Sequence, residues 1–108
     1  MAGDQGNARA QNNLGVCYSN GEGVTQNKAE AARLYKLAAD QGYARAQYNL
    51  GVCYEYGEGV AKDIKEAVRL YKLAADQGNA KAQCNLGVCY EYGKGVAKDM
   101  KEAVRLYK

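Results

Sequence analysis

Apolar and small residues recur along this chain at helical spacing, in two stripes that alternate. The first stripe falls at Ala46, Gln47, Leu50, Gly51, Cys53 and Tyr54. Steps of three and four place these residues on one face of a helix. The second stripe runs through Ile64, Ala67, Val68, Tyr71, Ala74 and Ala75, while Lys65, Arg69, Lys72 and Asp76 take the opposite, solvated face. The same two stripes appear upstream and downstream, and the pattern predicts helices over about 7–20, 27–40, 43–56, 63–76, 79–92 and 99–108.

Glycines punctuate the stripes. Gly57 reads as a left-handed helix stop. The loop Gly57-Glu58-Gly59-Val60-Ala61-Lys62 follows, and Val60 is expected to plug the gap between the two helices. Asp63-Ile64-Lys65-Glu66 has the form of a capping box, repeated at Asp99–Glu102 and, more mildly, at Asn27–Glu30. Gly78 closes the second helix. A further glycine sits inside the first helix of every pair, at Gly15, Gly51 and Gly87. Glycine there costs up to about 1 kcal/mol against alanine, so its recurrence predicts a close approach by a neighbouring helix. The Gly-x-Gly of the loop is a poor phosphate cradle, because no strand precedes it and no third glycine opens the next helix.

Leu14, Leu50 and Leu86 mark a period of 36 residues, dividing the chain into 1–36, 37–72 and 73–108. The last two blocks differ at only five positions: Tyr43/Asn79, Arg45/Lys81, Tyr48/Cys84, Glu58/Lys94 and Ile64/Met100. A helix pair this short cannot bury its own apolar face, so stacked neighbours must complete the core. The expected fold is all-α: an α-solenoid, a right-handed superhelix of antiparallel helix pairs, forming one domain over residues 1–108.

Composition narrows the function. A net charge of +3 with Lys and Arg interleaved among Asp and Glu shows no basic stripe, which argues against a nucleic-acid partner. No apolar run reaches the roughly 20 residues of a membrane helix, and Met1–Gly6 lacks the apolar segment of a signal peptide. The expected location is therefore cytoplasmic. Cys17, Cys53 and Cys89 share one register, too far apart across stacked helices for disulfides. Cys84 and Cys89 point in different directions on one helix, so all four read as free thiols, the repeated three as core fillers. The chain has no His, its cysteines lack a base, and its loop and cap carboxylates need no catalytic role. No enzyme activity, cofactor or metal site is expected.

The pattern Ala44, Ala46, Gln47, Asn49, Leu50, Gly51, Tyr54, Gly57, Gly59, Val60, Asp63, Ala67, Tyr71, Ala74, Ala75, Gly78 resembles the Sel-one-like repeat, a relative of the tetratricopeptide repeat. The resemblance covers essentially the whole chain. It implies a scaffold or adaptor that gathers protein or peptide partners. Some cysteine-rich members bridge the two helices of a repeat, but this chain carries no cysteine in any second helix. Met1–Gly6 reads as the tail of a further second helix, and the chain as a slice of a longer array, natural or designed.

In such solenoids the first helices line the concave face. Their outward residues are Arg45, Tyr48, Asn49, Val52 and Tyr56, then Lys81, Cys84, Asn85, Val88 and Tyr92, and earlier Arg9, Asn12, Asn13, Val16 and Asn20. A basic residue stands four before an asparagine three times, as Arg9/Asn13, Arg45/Asn49 and Lys81/Asn85. Such a pair lies on one face and can hold a carboxylate, by analogy with the clamp that grips peptide C-termini. The plainer reading, preferred for the asparagines, is that they tie adjacent helices side chain to backbone. Tyr48, Tyr56 and Tyr92 are candidate interface anchors, with packing over the glycine loop the alternative for the latter two. Self-association through open ends, around Leu14 at one and Met100, Val104 and Tyr107 at the other, is the competing function.

Overall fold

A computed structural model describes residues 2–108, with side chains from residue 7 onward. It holds six helices: α1 Ala2–Asn20, α2 Lys28–Asp40, α3 Ala44–Tyr56, α4 Ile64–Asp76, α5 Ala80–Tyr92 and α6 Met100–Tyr107. Among the described residues there is no strand. Each helix packs chiefly against its neighbours in sequence, so the chain advances as a ladder of pairs, an α-solenoid with extents of 42 × 30 × 19 Å.

The α3–α4 connection shows how local chemistry sets the geometry. Gly57 ends α3 at φ 68°, ψ 39°, with its N–H on the Cys53 carbonyl. Asp63 then caps α4 by accepting from the Glu66 N–H at 3.2 Å. Only half of the expected capping box forms. The Asp63 N–H is already donated to the Tyr54 carbonyl at 2.8 Å. The Glu66 carboxylate therefore turns to Arg69, which grips it at 2.8 and 2.6 Å. The same arrangement recurs at Glu30/Arg33 and Glu102/Arg105.

The core does not respect the repeat boundaries. One cluster joins Ala31, Tyr35, Ala38 and Ala39 of α2 to Ala8 of α1, to Ala46, Leu50 and Cys53 of α3, and to Leu70 of α4. The next joins α4 to Ala82, Leu86 and Cys89 of α5. Each interior second helix is thus sealed between its own first helix and the following one. The clearest sign is at the ends. Leu50 and Leu86 are 4% exposed beneath the preceding second helix, whereas Leu14, in the same register with no such helix over it, is 44% exposed.

The recurring helical glycine makes room for an aromatic ring. A Cβ on Gly51 would stand 2.7 Å from Tyr71 Cε1, and Gly15 and Gly87 meet Tyr35 and Tyr107 in the same way. The loop glycine has a different neighbour. A Cβ on Gly59 would lie 2.2 Å from the Lys28 carbonyl oxygen, so the α3–α4 loop rests directly on the start of α2. Val60 tucks in beside it against the first core cluster.

Three expectations need correction. α1 is helical from Ala2, where residues 1–6 were expected to end an earlier helix; Met1 lies outside the described residues. The comparable turns are closed by bonds back onto a packed helix, Gly42 N–H to the Ala39 carbonyl and Gly78 N–H to the Ala75 carbonyl. Among the described residues Gly6 lies inside α1 and closes no such turn. Second, Tyr54 and Ile64 are only half-buried, and the buried positions are Glu55 and Leu70. Leu70 is buried because α4 has a second face, turned to the preceding pair. Third, Cys17 is half-buried although Cys53 and Cys89 are buried, since among the described residues no second helix lies over it as α2 and α4 lie over the other two.

Candidate functional site

The first helices of the pairs present a shared face with a string of depressions. One is a cleft of about 430 Å³ lined by Asn12, Asn13, Val16, Arg45, Tyr48, Asn49, Asn79, Ala80 and Lys81. It runs across α1, α3 and the start of α5, so no single repeat could form it. Arg45 and Lys81 contribute two cations to it, and no carboxylate lines it among the described residues. Two smaller hollows lie beyond. One is lined by Val16, Ser19, Asn20, Asn49, Val52 and Glu58 among others, and one by Glu55, Tyr56, Asn85, Val88 and Lys94.

The three basic/asparagine pairs are not equivalent in space. Arg45, Asn49 and Lys81 share the large cleft with Asn13, whereas Arg9 lines none of these depressions and Asn85 lies in the far hollow. Asn49 is also committed. Its Nδ2 donates to Asn12 Oδ1 at 3.0 Å, linking α3 to α1. The tie runs side chain to side chain, not to backbone as expected, because residue 12 is itself an asparagine where the later repeats have Tyr48 and Cys84.

The tyrosines divide likewise. Tyr48 is half-buried and stacks on Tyr71, ring centroids 5.9 Å apart, so it is floor of the cleft and roof of the core at once. Tyr56 and Tyr92 are 65% and 68% exposed, which leaves their rings open to solvent and not sealed over the glycine loop. Val16, Val52 and Val88 are half-buried. Cys84 is the exposed thiol.

Glu55 escaped the sequence reading. It is buried at 8% exposure, with Oε1 accepting from the Tyr71 hydroxyl at 2.6 Å and Oε2 from Lys94 Nζ at 3.0 Å. Burial, then the Glu55 bond, push the Tyr71 hydroxyl well above its ordinary 10.0, while the Asn85 carboxamide pulls the other way. The Glu55 bond likewise raises Lys94. A signal was present: the exchange of Glu58 for Lys94 accompanies the exchange of Ser19 for Glu55 one repeat earlier. Paired changes of charge at a constant offset mark a contact.

Burial pushes the Cys53 thiol up to about 11 and raises Cys89 too. A thiol held that high is a poor nucleophile at neutral pH. Among the described residues, no three His, Cys, Asp or Glu side chains come together, and no helix is long and apolar enough to cross a membrane.

The Sel1 repeat family model matches residues 8–43, 44–79 and 80–108, in phase with the observed helix pairs. The chain belongs to the Sel1 repeat family. A Sel1 repeat protein from Oxalobacter formigenes superposes with a TM-score of 0.91 at 45% identity, over 95% of this chain and 41% of that one. The protective antigen c5321 of uropathogenic Escherichia coli, described as displaying an SLR fold, gives 0.92 at 44% identity, over 98% and 23%. Cysteine-rich protein B of Helicobacter pylori gives 0.77 at 28% identity, over 94% and 78%. This chain thus spans less than half the length of the first two. Among curated proteins, none matches it. Unlike a chain bridged within its repeats, this Sel1 repeat chain has all four thiols free, every one on α1, α3 or α5.

Proposed function

We propose that this Sel1 repeat chain is a non-enzymatic module that binds a protein or peptide along the face lined by α1, α3 and α5, seating a carboxylate between Arg45 and Lys81. Sel1 repeat proteins generally mediate protein–protein interactions. The observation that carries the reading is the 430 Å³ cleft, which gathers two cations and four asparagines with no acidic lining residue. A guanidinium and an ammonium flanking one hollow favour an anionic group, and Arg45 supplies the planar two-pronged donor suited to a carboxylate. Tyr56 and Tyr92, open to solvent further along the face, supply amphipathic surface for the rest of a bound chain.

The test is a binding selection from a peptide library with free or amidated C-termini, read by titration against the wild-type chain. Selected peptides should carry a carboxylate. Arg45→Ala/Lys81→Ala should weaken them by about tenfold or more, the expected worth of a charge-assisted contact. Raising salt from 50 to 500 mM should weaken wild-type binding more than that of the double variant. Binding that survives both amidation and the double substitution would refute the reading.

A further inference from the structure

The two internal junctions of this solenoid are wired with opposite polarity. At the junction of the second and third pairs, the acid comes from the earlier pair and the cation from the later loop: Glu55 takes Lys94 at 3.0 Å and the Tyr71 hydroxyl at 2.6 Å. At the junction of the first and second pairs, the same two registers hold Ser19 and Glu58. There the cation stands on the earlier pair instead, as Lys28, whose Nζ donates to Ser19 Oγ at 3.0 Å. The acid, Glu58, comes from the later loop and lines the hollow with Ser19. Substituting glutamate for Lys94 would replace the cationic partner of the buried Glu55 by a second carboxylate, an arrangement strongly disfavoured in low dielectric.

The outgoing face of the third pair repeats the second arrangement. The Tyr107 hydroxyl donates to Glu91 Oε1 at 2.8 Å, as Tyr71 does to Glu55, and Met100 stands where Ile64 stands. Glu91 Oε2 has no partner among the described residues. Around it Met100, Val104 and Tyr107 are 46%, 45% and 45% exposed, whereas Val68 and Tyr71, in the registers of Val104 and Tyr107, are 3% and 0% exposed. The incoming face of the first pair carries Glu22 at the register of Lys94. A second copy stacked in solenoid register would therefore set Glu22 against Glu91.

We infer that the outgoing face of the third pair is a docking surface for a Sel1 repeat bearing lysine at the register of Lys94, and that Glu91 rejects a repeat bearing glutamate there. Stacking of repeats is general to solenoids. The selective element is this one carboxylate, held by Tyr107, and it excludes a second copy of the chain as the occupant.

Four chains test it. Residues 73–108 are appended in phase after Lys108, with either lysine or glutamate at the appended counterpart of Lys94, and each is made with Glu91 or Glu91→Gln. The lysine chain should melt about 3–6 °C above the glutamate chain when Glu91 is present. Glu91→Gln should remove most of that difference, since coupling between contacting residues is what such a cycle isolates. A difference that persists unchanged in Glu91→Gln, or no difference at all, would overturn the inference. If the glutamate chain does not fold, sedimentation of the unextended protein decides. Wild type should keep a constant monomer mass with rising concentration while Glu22→Lys associates head to tail; equal association of the two would overturn it.

Discussion

Replacing the glycine inside α3 tests the packing logic most sharply. In an isolated helix, glycine to alanine stabilises by about 0.8–1.0 kcal/mol. At Gly51 the new methyl would stand 2.7 and 2.9 Å from two carbons of the Tyr71 ring. That ring is 0% exposed and its hydroxyl is tied to Glu55 at 2.6 Å, so it has nowhere to swing. Overpacking of this kind costs about 1–3 kcal/mol, and the propensity gain offsets only about 1 of it. Gly51→Ala should therefore lose about 1 kcal/mol net, and at most about 2. Gly87 is an internal control. Its methyl would meet Tyr107 at 2.6 Å, but Tyr107 is 45% exposed on the last helix and can move aside. Gly87→Ala should fall between neutral and about 1 kcal/mol stabilising. Urea denaturation followed by circular dichroism at 222 nm reads both. Should Gly51→Ala match or exceed wild type, or Gly87→Ala lose as much as Gly51→Ala, the account of the glycine as a seat for the ring fails.

Thiol labelling under native conditions should be graded: Cys84 fast, Cys17 slower, and Cys53 and Cys89 only on opening, following their burial. Four fast thiols would contradict the described core. Stability should also fall in alkali. Cys53, Cys89, Tyr71 and Lys94 all hold their protons more tightly folded than unfolded. Their contribution is complete below the unfolded values and is lost as pH rises through the folded ones. Cys53, ordinarily 9.0 and held at about 11, alone removes on the order of 2 kcal/mol by pH 11. Urea midpoints at pH 8 and pH 10.5 should show the loss, and Cys53→Ala should lessen it relative to that variant's own stability at pH 8.

Helix identity and the stacked plan were legible in the residues themselves. The stripes through Leu50 and Tyr71, the caps at Asp63 and Asp99 and the stop at Gly57 act within a turn or two of chain, and short-range chemistry is written locally. The recurrence of Gly51 announced a close approach, although not that a tyrosine ring makes it. What joins residues a full repeat apart was not legible from any one stretch. Glu55 looks like a surface acid on its helix, and only the arrival of Lys94 and Tyr71 from two other elements allows it to be buried. Asn49 resembles half of a clamp until α1 brings Asn12 within 3.0 Å of it. Arg9, Arg45 and Lys81 share one sequence context, yet the cleft takes only the latter two. Sequence periodicity set which side of each helix is dry, because amphipathicity needs only the chain's own pitch. Which repeated residues become a site was decided by tertiary stacking, because neighbours differ at the middle and at the ends of a finite array.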